Sequence, residues 1–168
     1  LGSINHSMVF NNDYLELIGT PRGKPVTRPE LKKAKIGING LVFKSDNIKK
    51  TYQHLVNVRL SNVPTRCFSR PVEINGIKRE AKFETVSIKD NIFKAGRVYF
   101  CNHLTPNLVW IPQYKSHKNN VLGITEITII DSNPLLVLEN IDKISDKIKI
   151  DKQENFITVK TGDIKISL

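Results

Sequence analysis

A chain of 168 residues, 39% hydrophobic and 25% charged, is long enough to bury one substantial core and too ordinary in composition to be disordered. The formal net charge of +10 raises nucleic acid as a partner, but the lysines are scattered among Asn and Ile and no known nucleic-acid motif is present, so the expectation is no nucleic-acid binding. No apolar run approaches the roughly 20 residues of a membrane span and no signal peptide opens the chain, so a cytoplasmic protein without membrane contact is expected.

In chain order, His6 to Phe10 and Tyr14 to Ile18 read as short strands joined at Asn11-Asn12-Asp13, since Asn and Asp tolerate left-handed backbone. Three prolines and two glycines from Gly19 to Pro29 mark a loop. Ile36 to Lys44 has strand content, with Ser45 or Asp46 placed to cap a helix. Ile48, Tyr52, Leu55 and Val56 fall on one helical face and predict that helix over about Asn47 to Val56. Pro64 and Pro71 mark Leu60 to Pro71 as loop. Lys82 to Ile88, Arg97 to Cys101 and Leu108 to Ile111 then read as three strands, completing a βαβββ unit.

A second start follows. Ile124 to Ile130 is apolar on both faces and expected to be a central strand, and Pro134 after Ser132-Asn133 predicts a short helix over Leu135 to Ile141. Strands are expected at Lys147 to Ile150, Phe156 to Lys160 and Asp163 to Leu168, the last two forming a hairpin around Thr161-Gly162. The recurrence of strand, helix and strands signals a repeat. Cys67 and Cys101 lack CxxC spacing, which disfavours structural zinc and disulfides, and Cys101 is expected in a buried strand.

Asn5-His6, Asp13 to Gly19 (DYLELIG), Gly40 to Phe43 with Ser45-Asp46, Arg70 to Glu73, Gly96 to Trp110 (GRVYFCNHLTPNLVW) and His117 to Asn120 form a series of segments. In this order and spacing they resemble the glyoxalase-like domains of the vicinal oxygen chelate superfamily. The resemblance covers most of Leu1 to Pro134. It implies an α+β fold of repeated βαβββ modules forming a curved, mostly antiparallel mixed sheet. Residues 1–20 would end a first module, 21–35 link it to a second at 36–113, and 121–168 form a partial third with C-terminal strands. The family's first strand and helix would then precede Leu1. Modules set edge to edge would bury strand edges within the chain or a homodimer.

The resemblance further implies a small-molecule ligand. In metal-dependent members, His, Glu or Gln side chains hold a divalent ion (here Zn, Mn, Fe, Ni or Mg), which stabilises an enolate or oxyanion. His6, Glu16 and His103 are the candidate metal ligands, Glu16 and His103 the candidate catalytic groups, and His6, Trp110 and His117 the candidate ligand contacts. Each has a plainer reading. Glu16 alternates with Leu15 and Leu17 and is merely solvated if those leucines are core. His6 is otherwise an edge histidine, His103 a structural partner of the Thr105-Pro106 turn, Trp110 packing, and His117 a surface residue. His54, off the apolar face of its helix, is read as solvated.

With the modules superposed in sequence, Gly40 falls where a first-strand His ligand would stand and Val109 where Glu16 stands, so both modules cannot bind metal alike. No nucleophile elbow, phosphate loop, dinucleotide fingerprint or HExxH helix is present. The functional expectation is a lyase or isomerase acting on a small oxygenated (carbonyl or carboxylate) metabolite, ring-cleaving dioxygenase chemistry also being known in the superfamily. The alternative is a non-catalytic module that binds or sequesters a small molecule.

Overall fold

A computed structural model describes residues 2–34, 36–144, 149–153, 156–161 and 164–168. The α+β chain divides into two units, Leu1–Asn39 with Val109–Ile124, and Gly40–Leu108 with Thr125–Leu168.

In the first unit, β1 (Ile4–Val9) and β2 (Tyr14–Gly19) form an antiparallel hairpin, closed where Phe10 N donates to Asp13 O at 2.9 Å. A five-residue helix, α1 (Pro29–Lys33), interrupts the stretch read from sequence as linker. Proline is tolerated in its first turn, where the missing N–H had no partner, and Arg28 at the cap pairs with Glu30 at 2.5 Å. The returning segment is tied to the hairpin by two bonds: His117 Nε2 donates to Val9 O at 2.9 Å, and Ile124 N donates to Asp13 Oδ1 at 3.3 Å.

The second unit opens with β3 (Gly40–Lys44), α2 (Ile48–Asn57), β4 (Arg66–Ile74), β5 (Ile77–Ser87) and β6 (Arg97–His103). Their sheet order is β3-β6-β5-β4, with β3 parallel to β6 and the other neighbours antiparallel. The cap of α2 is Asn47, whose Oδ1 accepts from Lys50 N at 3.0 Å, and not Ser45 or Asp46. Ser45 supports the cap instead, its Oγ accepting from Asn47 N. Ile48 and Leu55 of α2, 1% and 0% exposed, bury against Val86, Val98 and Phe100.

Three boundaries correct the sequence reading. Leu60 to Pro71 is not all loop, because β4 starts at Arg66 and runs through Pro71. It is an edge strand, where a proline removes no interior ladder bond. Leu108 to Ile111 is not a strand, since single 3₁₀ turns at Pro106–Leu108 and Pro112–Tyr114 bracket it. The module's three later strands are therefore β4, β5 and β6. Ile36 to Asn39 precedes β3 as irregular chain, with Gly37 at φ 134°.

The same order then recurs in β7 (Glu126–Thr128), α3 (Pro134–Asp142), β8 (Lys149–Gln153), β9 (Phe156–Thr161) and β10 (Ile164–Ser167). The sheet order β7-β10-β9-β8, with β7 parallel to β10, matches that of the preceding module. Expected to be central, β7 is instead a three-residue edge strand. Its Glu126 accepts a bond from Ser167 Oγ and lies 3.4 Å from Lys165 Nζ; both contacts hold its carboxyl below the usual range. Asn133 caps α3 by accepting from Leu136 N at 3.2 Å. Val137, Leu138, Ile141, Ile144 and Ile166 join the core around Leu55, so both modules share one apolar interior. His54 is not simply solvated: its Nε2 donates to Lys143 O at 2.8 Å, linking α2 to the end of α3. Of the expected tail, Lys147, Ile148 and the Gly162 turn lie outside the described residues.

Candidate functional site

Side chains on a strand alternate between faces, so the pairing register sorts the β3–β6 sheet into two surfaces. One carries Val86, Val98 and Phe100 against α2. On the other, Phe68 of β4 stands opposite Phe83 of β5, which stands opposite His103 of β6. The Phe68 and Phe83 rings stack at 5.2 Å and 21°, and His103 meets Phe83 edge-on at 5.4 Å and 75°. The next row on the same face is Arg66, Thr85, Cys101 and Lys44. An open hollow of about 280 Å³ is lined by Cys67, Phe68, Ser69, Lys82, Phe83 and Leu104, of which Cys67, Ser69 and Lys82 stand by register on the face opposite the rings.

His103 is half-buried, and its pKa is lowered to about 4, first by burial and then by the charge of Lys44. At neutral pH the imidazole is therefore uncharged. It can donate or accept one hydrogen bond, but it is a weak base, because catalytic bases work best with a pKa near the operating pH. Arg70 lies 5.9 Å over the Phe68 ring and Arg97 5.3 Å over Tyr99, all four on this face.

The hairpin places its candidates differently. Ser7 is opposite Glu16 and Leu17 is opposite His6, so Glu16 and His6 project from opposite faces. Glu16 accepts from Asn5 Nδ2 at 2.5 Å. His6 shares its side with Met8, Leu15 and Leu17, all exposed, so the condition under which Glu16 would be merely solvated, that those leucines are core, is not met. Trp110 packs edge-on against Tyr14 at 5.8 Å, and His117 lies 5.3 Å from the ring of Phe10. His103 belongs to the other unit.

The candidate metal set is corrected accordingly. Two side chains on opposite faces of one hairpin cannot both approach an ion at the roughly 2 Å that ligation demands. Among the described residues, no three His, Cys, Asp or Glu side chains gather in a metal-holding group. The donors do not fit a shared divalent centre.

Sequence reasoning passed over Arg66, Phe68, Arg70, Phe83 and Lys44. The signal was present in the alternation Arg66-Phe68-Arg70, which the flanking prolines disguised as loop.

A glyoxalase-like domain family model matches residues 1–144. Among solved structures, a hypothetical protein from Staphylococcus aureus is similar in fold over 99% of this chain and 71% of its own, with a TM-score of 0.79 at 14% identity. A second hypothetical protein from S. aureus aligns over 82% of this chain and 95% of its own at 6% identity, with a TM-score of 0.32, too low to bear on the fold. No curated protein matches the chain. Among the described residues, no helix is long and apolar enough to cross a membrane.

Proposed function

Because the chain belongs to the glyoxalase-like domain family, we propose that it binds a small oxygenated metabolite, bearing a carbonyl or carboxylate, on the sheet face turned away from α2. The observation that supports this most is the row Phe68, Phe83 and His103, two stacked rings ending in a neutral imidazole. Flat apolar surface takes up the body of a small ligand, and a single hydrogen-bonding group at its end orients an oxygen.

Binding is better supported than turnover. A lyase or isomerase acting beside a carbonyl needs a group to move the proton and another to stabilise the charge that develops. On this face His103 is the one imidazole, and its lowered pKa makes it a poor base. The lyase or isomerase reading retains one observation: Lys44 shares the face and acts on His103, a cation suited to an enolate oxygen.

Proton NMR in D₂O with a panel of small 2-oxo acids separates the two. The binding reading expects perturbed Phe83 and His103 resonances without enhanced exchange of the proton beside the carbonyl. Exchange that is accelerated by the protein and lost in His103→Gln would establish turnover. No perturbation by any panel member would defeat both readings.

A further inference from the structure

Building on that site, we infer that its ligand is an anion, a carboxylate or phosphate carried on a flat apolar body. The register places Lys44, Arg66, Arg70, Arg79 and Arg97 on the face turned away from α2. Glu73, Glu80 and Glu84, the acids of the same strands, all fall on the opposite face. The face thus bears five basic and no acidic side chains among its described strand positions. A scattered charge along the sequence becomes a one-sided field once alternate residues are separated by the sheet, and such a field concentrates anions at the surface.

The aromatic groups specify the rest of the ligand. Phe68 lies between Arg66 and Arg70 on the edge strand, the two arginines being separated by four residues, or about 13 Å. Arg70 is stacked over Phe68 at 5.9 Å, and Phe68 over Phe83 at 5.2 Å. A guanidinium beside a ring brings a cation to apolar surface, and guanidinium N–H groups match the paired oxygens of a carboxylate or phosphate. The same position offers ring surface for an apolar body and a cation for its charged end.

The test uses the 168-residue chain with 2-naphthoate, 2-naphthyl phosphate and the uncharged 2-naphthamide. Affinity is measured by calorimetry and position by amide chemical shifts. The expected result is that at least one of the two anions binds tenfold or more tightly than the amide, and perturbs β4, β5 and β6. The tighter anion tells carboxylate from phosphate. Arg66→Gln/Arg70→Gln should remove that preference, Lys49→Gln on α2 should keep it, and circular dichroism checks that both fold. If the double variant does not fold, the single Arg66→Gln and Arg70→Gln variants replace it, at least one having to weaken the anion tenfold.

Equal affinity for anions and amide on this face overturns the anion inference and leaves the proposed site intact. An anion preference that survives the arginine replacements overturns it as well. Failure of all three probes to perturb the face removes the site itself. A single-stranded oligothymidine that binds more tightly than either naphthyl anion and displaces it overturns the inference in favour of nucleic acid.

Discussion

Lys44 of β3 stands diagonally across from His103 of β6 on one sheet face, and its ammonium adds to burial in holding the imidazole pKa near 4. Replacing Lys44 with Met should raise that pKa while leaving it below 6.5, because burial is the larger cause. Imidazole NMR titration checks it. A His103 that titrates near 6.5 in the unmodified protein contradicts the buried, charge-depressed setting.

The same depression couples His103 to stability. The unfolded chain binds a proton on this residue near 6.5, and the folded chain does so only near 4. Its contribution is therefore complete above pH 6.5 and is lost as the pH falls from 6.5 through 4. Urea denaturation of the protein and His103→Gln across that window should show a steeper acid loss in the unmodified chain. Parallel curves would contradict it.

The β4–β5 hairpin turns at Asn75 and Gly76, with φ of 51° and 76°. A Cβ at Gly76 would meet no atom within 4 Å, so the cost of Gly76→Ala is conformational alone, about 1 kcal/mol. Gly19→Ala, which also meets open space and needs no positive φ, should be neutral or slightly stabilising. Denaturant midpoints of the two variants compare them directly.

Much of the fold was readable before the structure. The helical face of Ile48, Tyr52 and Leu55 located α2, and Pro134 located the start of α3 to within one residue. What escaped were β4 and the first half of β5. Pro71 is a strand breaker only where its missing N–H would face a neighbouring strand, and whether a strand lies at an edge is a property of the whole sheet. The Asn75-Gly76 dipeptide was a local hairpin signal that the proline reading obscured.

The site was less legible for a related reason. Arg66, Phe68, Arg70 and Phe83 become neighbours only through the register of β4 on β5. His6 and Glu16 look adjacent on a hairpin, yet a shift of one residue in pairing decides which face each takes. The charge followed the same rule, since lysines and arginines that look dispersed along the chain are sorted by alternation into a basic face.

His117 fastens the returning segment to the hairpin through the bond to Val9 O and the contact with Phe10. His117→Ala should destabilise that unit by about 1–2 kcal/mol. Urea unfolding followed by the fluorescence of Trp110, which packs on Tyr14 in the same unit, reads this out. An unchanged midpoint would mean that the bond contributes nothing to holding the segment.

The chain's four histidines provide the most direct test of where the ligand binds. His103 is on the proposed face, His54 is on α2, and His6 and His117 belong to the other unit. Their imidazole NMR signals can be followed together during titration with 2-naphthoate. Binding at the proposed face predicts that the His103 signal moves first and furthest, and that its pKa rises from about 4 because a bound anion favours the charged ring. A saturating titration that shifts His54, His6 or His117 and leaves His103 and its pKa unchanged would contradict the account.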